Sequence, residues 1–433
     1  MAKTDWARVG RRVRRLRKQR GLTQAAVAGR RISTPGLSMI EAGKRRPSPD
    51  VLSHLAHRLG TTEDYLLTGR DPGVETHLRL ETEQARLAVH QGRAESALSR
   101  LERIIDRARK ADLLETEAIA REVVGIAYQK LARFELAIEA YDAAADLLAS
   151  APPERQVGPR CGRARCLFLM GDVHYAVHVL EVVLVDLRRT SAPDPSALAR
   201  VYSALVGPYF KSGFIEKASD AVNQAQRLSA RVQDPEIIGC MNVNLAGVCL
   251  SEGRVDDAIR ALTKAEDSFA QLEWSDELST TKIAQAMGFI DKEDWEEARS
   301  HLLGALQVLR DVPDPTTRAT VLNQLGRVER ILGNVDEAES HLLEALQLVI
   351  HGNLNERGLA QRELGLCALE QGNDTEARRL LLEAVDSYRA ASNALQVGMT
   401  YKIFGDLELD RGDAVASSDL YREGLEAATA AAL

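Results

Sequence analysis

The chain contains few aromatic residues and few cysteines, and it has no long apolar run. Aromatic residues are 4% of the 433 positions, and a composition dominated by Leu, Ala and charged residues favours helices over sheets. The five cysteines are scattered and form no Cys-x-x-Cys pair, which fits a reducing cytosol. No run of about 18 uncharged apolar residues is present, and the N-terminus lacks the apolar segment of a secretory signal. We therefore expect a cytoplasmic protein without a membrane span.

Charge is distributed unevenly along the chain. Residues 1–70 hold 16 Lys and Arg against 5 Asp and Glu, a net charge of +11. The remaining residues hold 40 basic and 58 acidic residues, a net charge of −18. A basic segment joined to an acidic one is typical of a nucleic-acid-binding module attached to a domain of another kind. The length also exceeds what one hydrophobic core normally supports, so we expect two domains, residues 1–70 and 71–433.

Residues 1–70 predict five short helices separated by glycines and helix-capping residues. Thr23, Ser33 and Ser48 each stand immediately before a predicted helix, where a hydroxyl can accept a hydrogen bond from the first turn. Pro35 lies in the first turn of the third helix, where a missing N–H group costs least. Apolar residues at helical spacing predict the core of this domain: Trp6, Val9, Val13, Leu16, Val27, Leu37, Ile40, Leu52, Leu55 and Leu59.

Three segments of this domain resemble the XRE family of helix-turn-helix domains, the Cro/repressor type. They are LRKQRGLTQAAVA, ISTPGLSMIEAGKRRPSPDVLSHLAHRLG and YLL. The resemblance spans nearly all of residues 5–70. One departure is that the turn at residues 29–32 is one residue shorter than the usual form. The family also implies a salt bridge between Arg17 and Glu41, for which the alternative is two unrelated surface charges.

The resemblance implies that the third helix enters the major groove of DNA. The exposed positions of that helix would be Thr34, Pro35, Gly36, Ser38 and Met39. The positions that match phosphate contacts are Gln24, Lys44, Arg45 and Arg46. The helix carries no exposed Arg, Gln or Asn for bidentate base contacts, so we expect modest base discrimination that depends partly on DNA shape. For Arg11, Arg12 and Arg15 of the first helix, a solvated surface is favoured over a phosphate contact.

Beyond residue 73 one pattern recurs every 39 to 42 residues, which indicates a solenoid. A Gly-like residue is followed five positions later by a small residue. The Gly-like position falls at Gly92, Ala132, Gly171, Gly213, Gly253, Glu293, Gly333, Gly372 and Gly412. Seven positions earlier the residues are small or Val, and nine positions later they are Leu, Tyr or Val, as two crossing helices require. The pattern resembles the tetratricopeptide (TPR) repeat from residue 75 to about 430 and predicts about nine helical hairpins.

In a TPR solenoid the first helices of the hairpins line a groove that binds peptides or partner segments. The positions ten, nine and six before the Gly-like residue face this groove by resemblance. From them we predict the ligand-binding residues Asn244, Asn323, Arg327, Arg362 and Lys402. The amide of Asn can pair with both groups of a peptide backbone, and the cations can hold a carboxylate.

No constellation of residues indicates catalysis. The chain lacks a Walker A loop, a metalloprotease motif, a nucleophile elbow and a Rossmann fingerprint, and we expect no enzyme activity and no cofactor. His174 and His178 have metal-binding spacing without a third ligand nearby, so we predict no metal site.

An XRE domain followed by long TPR repeats is similar to the RRNPP-type regulators, in which a signalling peptide binds the TPR groove and changes DNA affinity. The resemblance implies an all-α homodimeric transcription regulator with double-stranded DNA and a short peptide as partners. The alternative is a DNA-tethered scaffold, whose groove recruits a protein and has no small effector.

Overall fold

The chain is helical throughout the part described by this computed structural model, which covers residues 6–68, 72–312, 314–349 and 352–429 and contains no strand there. The all-α class predicted from composition is confirmed. The first five helices are α1 (Trp6–Gln19), α2 (Gln24–Ala28), α3 (Thr34–Glu41), α4 (Pro49–Arg58) and α5 (Glu63–Thr68). The boundary predicted at residue 70 lies within residues 69–71, outside the described residues, and stays a prediction.

The remaining helices alternate in pairs, and each pair is one hairpin of the predicted repeat. The hairpins are α6 (Pro72–His90) with α7 (Ala94–Lys110), α8 (Leu114–Lys130) with α9 (Phe134–Leu147), α10 (Pro153–Leu169) with α11 (Val173–Arg188), α12 (Pro195–Lys211) with α13 (Ile215–Ser229), α14 (Pro235–Ser251) with α15 (Val255–Gln271), α16 (Ser275–Asp291) with α17 (Trp295–Val308), α18 (Pro315–Ile331) with α19 (Val335–Leu348), α20 (Leu354–Glu370) with α21 (Asp374–Ala390), and α22 (Ala394–Asp410) with α23 (Ala414–Thr429). A short 3-10 turn, Leu309–Asp311, follows α17. The predicted number of about nine hairpins is thus confirmed over the described residues.

The helix-turn-helix core forms as its caps and apolar spacing predict. The hydroxyls of Thr23, Ser33 and Ser48 each accept a hydrogen bond from a backbone N–H in the first turn of the following helix. Apolar side chains of α1 to α5 form one buried cluster that includes every predicted core residue, with Trp6 and Leu16 at its margin. At Gly10 there is no room for a side chain, because a Cβ would lie 2.2 Å from the carbonyl oxygen of Ile40.

The Gly-like position of the repeat marks the turn between the two helices of each hairpin. All nine residues at this position have positive φ angles, from 54° at Ala132 to 90° at Gly171. This left-handed conformation ends the first helix and favours glycine, which explains why glycine recurs there. Ala132 and Glu293 adopt it with a side chain.

The other repeat columns place small residues against large ones where the paired helices cross. A Cβ added to Gly125 would lie 2.6 Å from the ring of Tyr141, and one added to Gly326 would lie 2.5 Å from Leu342. Each glycine stands seven positions before the turn residue, and each large residue stands nine positions after it. The column pattern in the sequence therefore records helix–helix contact.

The described helices divide into two compact units. The first extends to Val89 and continues over Ala94–Pro193, and the second comprises His90–Arg93 and the residues from Asp194 onward. The predicted DNA-binding residues lie in the first unit, and the predicted ligand-binding residues lie in the second.

Candidate functional sites

The recognition helix α3 presents a continuous exposed face. Thr34, Pro35, Ser38 and Met39 are exposed, with Met39 at 44% of its full surface, whereas Leu37 on the opposite face is buried. Because Ser38 follows Thr34 by one helical turn and Met39 follows Pro35 likewise, the four side chains share one face. Gly36 was expected on this face but is buried, because it packs against Ser33 and Ile32. The face offers two hydroxyls and apolar surface.

A buried ion pair ties this helix to α1. The Nε atom of Arg17 donates to Oε1 of Glu41 at 2.6 Å, and Nη2 donates to Oε2 at 3.0 Å. Arg17 also donates to the carbonyl of Leu22, and Gln24 donates to Glu41 at 2.9 Å. Burial alone would raise the pKa of Glu41, but the hydrogen bonds from Arg17 and Gln24 outweigh it and hold this pKa below its ordinary value. The salt bridge predicted from sequence is confirmed.

Gln24 therefore has a role inside the domain. Its amide nitrogen is directed at Glu41, so a phosphate contact from this side chain would have to use the same donor group or displace it. The sequence could not show this engagement, because the two residues are far apart in the chain.

Basic side chains flank the recognition helix on both sides. Lys44, Arg45 and Arg46 follow it, and all three are exposed and form no ion pair among the described residues. The guanidinium of Arg46 lies 4.8 Å from the ring centre of Trp6, a cation–π contact that orients the side chain. Arg30 and Arg31, in the turn before the helix, are also exposed. Sequence reasoning did not select these two as phosphate contacts, although their position beside the helix was the available signal.

The shortened turn between α2 and α3 is supported from α4. His54 donates from Nε2 to the carbonyl of Ala28 at 3.0 Å, and Arg58 donates to the carbonyl of Ala26. The bonds from Arg58 satisfy the carbonyl of Ala26, which the five-residue helix leaves unpaired, and the bond from His54 adds to the one that the Ala28 carbonyl accepts from the N–H of Ile32. A side chain at Gly29 would press on the His54 ring, 3.3 Å away.

The two predicted groove asparagines lie on first helices of their hairpins and already serve as links between hairpins. Asn244 in α14 donates to the carbonyl and hydroxyl oxygens of Ser203 in α12, at 3.1 and 2.8 Å. Asn323 in α18 is fully buried and donates to the carbonyl and carboxylate of Glu356 in α20. The Oδ1 atom of Asn323 accepts no hydrogen bond among the described residues, and neither does the buried Oε1 of the adjacent Gln324.

The three predicted groove cations differ in how far they are engaged. Arg362 is mostly buried, donates to Gln396 at 2.5 Å and lies 5.8 Å from the ring centre of Tyr388. Lys402 is exposed and pairs with Asp406 one turn along the same helix. Arg327 is half-buried and has no ion pair within the described part of the chain. Arg327 is thus the cation of this set that a ligand could engage without breaking an internal pair.

Neither a metal cluster nor a membrane-spanning helix is found among the described residues. No group of three or more His, Cys, Asp or Glu side chains is arranged to hold a metal there. His178 instead stacks beside Tyr175, with 6.3 Å between the ring centres. None of the described helices is both long and apolar enough to cross a bilayer.

Family comparisons match both parts of the chain. A helix-turn-helix model matches residues 13–66, and two tetratricopeptide repeat models match residues 277–350 and 323–394. No curated protein matches the chain by sequence. The chain therefore contains a helix-turn-helix domain and TPR repeats.

Solved structures share this fold at low identity. The apo form of the quorum sensor NprR from B. thuringiensis matches at 13% identity and a TM-score of 0.50, covering 74% of this chain and 99% of its own. A signal-transduction ATPase with a TPR sensor from Pyrococcus horikoshii matches at 13% identity and a TM-score of 0.52, covering 82% of this chain and 55% of its own. Bacillus thuringiensis PlcR, solved with the peptide PapR7 and DNA, matches at 17% identity and a TM-score of 0.42, covering 64% and 99%. A helix-turn-helix domain followed by TPR helices, as expected from the sequence, is thus supported by the family models, and the fold of the NprR structure is similar.

Proposed function

We propose that this chain is a cytoplasmic transcription regulator that binds specific DNA through residues 1–70 and senses a short peptide through its TPR helices. The observation that carries the proposal is the exposed face of α3 with basic side chains before and after it. Cations at these positions would neutralise phosphates, while the face of α3 would contact base edges.

Support for peptide sensing comes from α18, the first helix of the seventh hairpin. On this helix Gln324 is half-buried, and its Oε1 atom accepts no hydrogen bond among the described residues. A buried acceptor without a partner costs about 1–3 kcal/mol, and a backbone N–H from a peptide would satisfy it. Arg327 lies on the same helix, α18, one turn beyond Asn323, and offers a cation for a ligand carboxylate. The quorum-sensing role of NprR, whose fold is similar, agrees with this assignment.

The DNA-binding part is tested by replacing Arg45 and Arg46 with Ala. We expect weaker binding to every DNA sequence, and a decrease of about 1 in the slope of log affinity against log salt for each phosphate that is no longer neutralised. Replacing Met39 should instead change the preferred sequence. The control is Arg422→Ala, which removes an exposed arginine in α23. If affinity and salt slope remain those of the unmodified chain in the Arg45/Arg46 variant, residues 44–46 do not face DNA.

The sensing part is tested by a thermal-shift screen with short peptides encoded near the gene, because a bound ligand raises the melting temperature by mass action. For a peptide that binds, Arg327→Ala should weaken the affinity measured by calorimetry. This substitution does not remove the hydrogen bonds between Asn323 and Glu356, so the link between the two hairpins is retained. Arg422→Ala is the control, because Arg422 is an exposed arginine that pairs with Asp419 of its own helix. A peptide that binds should shift DNA affinity by roughly 5- to 150-fold. Peptide binding without any change in DNA affinity would instead favour a scaffold.

A further inference from the structure

A cavity of about 240 Å³ lies within the second unit, between the fourth hairpin (α12 and α13) and the fifth (α14 and α15). Its apolar lining comes from both hairpins: Val206, Val222, Ala225, Ile238, Met241 and Leu245. Val206, Val222 and Ala225 are buried, whereas Ser229 and Lys264, which also line it, are exposed. Ser203, Asn242 and Asn244 add polar groups to the lining, and the Asn244 amide already donates to Ser203. The cavity is therefore mostly apolar, with a few polar groups inside and Ser229 and Lys264 exposed at its opening.

The cavity coincides with a substitution in the repeat pattern. Sixteen residues after the turn residue, near the end of the second helix, other hairpins carry a large apolar side chain that is almost fully buried. These residues are Leu148, Leu187, Phe269, Leu309, Val349 and Tyr388. The fourth hairpin has the small polar Ser229 at this position, whereas the first and ninth hairpins, at the ends of the array, have alanine.

The packing around Ser229 is loose as a result. In the second unit, α13 and α14 contact each other less than any other consecutive helices from neighbouring hairpins. Protein interiors are normally close-packed, so an open apolar space of this size is uncommon. It exceeds the roughly 150 Å³ at which a dry apolar cavity takes up benzene.

Lys264 supplies a cation at the opening. Its ammonium group makes no ion pair within the described part of the chain, although many other Lys and Arg side chains of the second unit are paired. Burial in the cavity would stabilise an apolar group of a ligand. A carboxylate attached to that group could form an ion pair with the ammonium of Lys264. Pockets that combine a mostly apolar lining with a few polar groups are typical of small-ligand sites.

We propose that this cavity binds a compact apolar group that carries a carboxylate. Two sources have this chemistry: a medium-chain fatty acid, and a peptide that ends in an apolar residue. Any effect of this ligand on DNA affinity rests on the proposed function, whereas binding of the ligand to the cavity does not.

The test uses the full chain with two probes, octanoate and the peptide acetyl-Gly-Gly-Leu with a free C-terminus, measured by calorimetry and thermal shift. At least one probe should bind saturably. Ser229→Phe, which installs the side chain found in the fifth hairpin, should abolish binding, and Ser229→Ala should retain it. Lys264→Met should weaken binding of the carboxylate probes at least tenfold, whereas Lys264→Arg should bind them about as well as the unmodified chain. Octanol has no charge, so its affinity should be the same in Lys264→Met and in the unmodified chain.

Binding of one probe alone supports the proposal and identifies the source of the ligand. If Ser229→Phe does not fold, as judged by circular dichroism, Ala225→Leu fills the same space from one turn earlier on α13. The proposal is overturned if neither probe binds at millimolar concentration, or if a folded cavity-filling variant binds as the unmodified chain does. DNA affinity is measured separately, so failure of the regulator assignment and failure of the cavity site give different results.

Discussion

Replacing Arg17 with Ala should destabilise the helix-turn-helix domain by about 3 kcal/mol, because it leaves the Glu41 carboxylate buried without its cation. The side chains of Arg17 and Glu41 are 13% and 4% exposed, so the pair belongs with buried ion pairs and not with surface pairs, which contribute below about 1 kcal/mol. The substitution removes two hydrogen bonds to the carboxylate and one to the carbonyl of Leu22 together. The remaining donor, Gln24, keeps the cost near the lower end of the usual range of about 3–5 kcal/mol.

The assay is native-state hydrogen exchange on the full chain at neutral pH, read at the amides of α1 and α3. A destabilisation of about 3 kcal/mol corresponds to an increase in exchange of roughly 100-fold, since about 1.4 kcal/mol is a factor of ten. Arg11→Ala is the matched control, because Arg11 lies on the same helix, is exposed and has no partner among the described residues. Hydrogen exchange at the amides of α1 and α3 should be almost the same in Arg11→Ala as in the unmodified chain.

A second variant separates the ion pair from simple loss of packing. Arg17→Met combined with Glu41→Leu removes both charges and keeps apolar volume, and such replacements are often neutral or stabilising. We expect this double variant to recover most of the stability that Arg17→Ala removes. An increase in exchange of less than about fivefold in Arg17→Ala, equivalent to about 1 kcal/mol, would refute the reasoning.

Four further expectations concern pH, backbone strain and assembly. Because the folded state lowers the pKa of Glu41, the stability it provides is complete above about pH 4.5 and is lost as the pH falls through the lowered value; Glu41→Gln should flatten this dependence in acid titrations. Burial lowers the pKa of His301 and His341 below 6.5, so the second unit should lose stability as the pH falls below about 6.5, and replacing both with Gln should remove that loss in melts at pH 7 and 5. Glu293→Gly should stabilise the sixth hairpin by about 0.5 kcal/mol in denaturant titrations, because a positive φ strains a residue with a side chain; an unchanged midpoint would contradict this. The chain should be a homodimer reading a two-fold symmetric site with half-sites about one helical turn apart, and light scattering that shows a monomer together with single half-site footprints would contradict this.

Features that depend on neighbouring residues were predictable from the sequence. Ser33 caps α3 because its hydroxyl needs only the N–H of Gly36, three residues away. Gly171 ends α10 because glycine tolerates a positive φ without any tertiary partner. Spacing alone likewise assigned Tyr141 to the helix crossing at Gly125, since helical periodicity determines which residues share a face.

The candidate sites were predictable only in part. The exposed face of α3 follows from periodicity, and the Arg17–Glu41 pair follows from the family resemblance. The engagement of Gln24 with Glu41, by contrast, has no local signal, because it depends on the distance between two helices. The same holds for Asn323, which was expected in an open groove and is fully buried against Glu356.

The sequence by itself determined the helices, their caps, the turns of the hairpins and the charge difference between the two ends of the chain, because each depends on residues within one or two helical turns of each other. Only the tertiary structure decided which polar side chains remain available and where space is left unfilled. Ser229 reads as an ordinary helix-terminal serine in the sequence, and its significance arises because α14 does not close the space beside it. Such a gap depends on the volumes of side chains from several helices, which no local pattern of residues records.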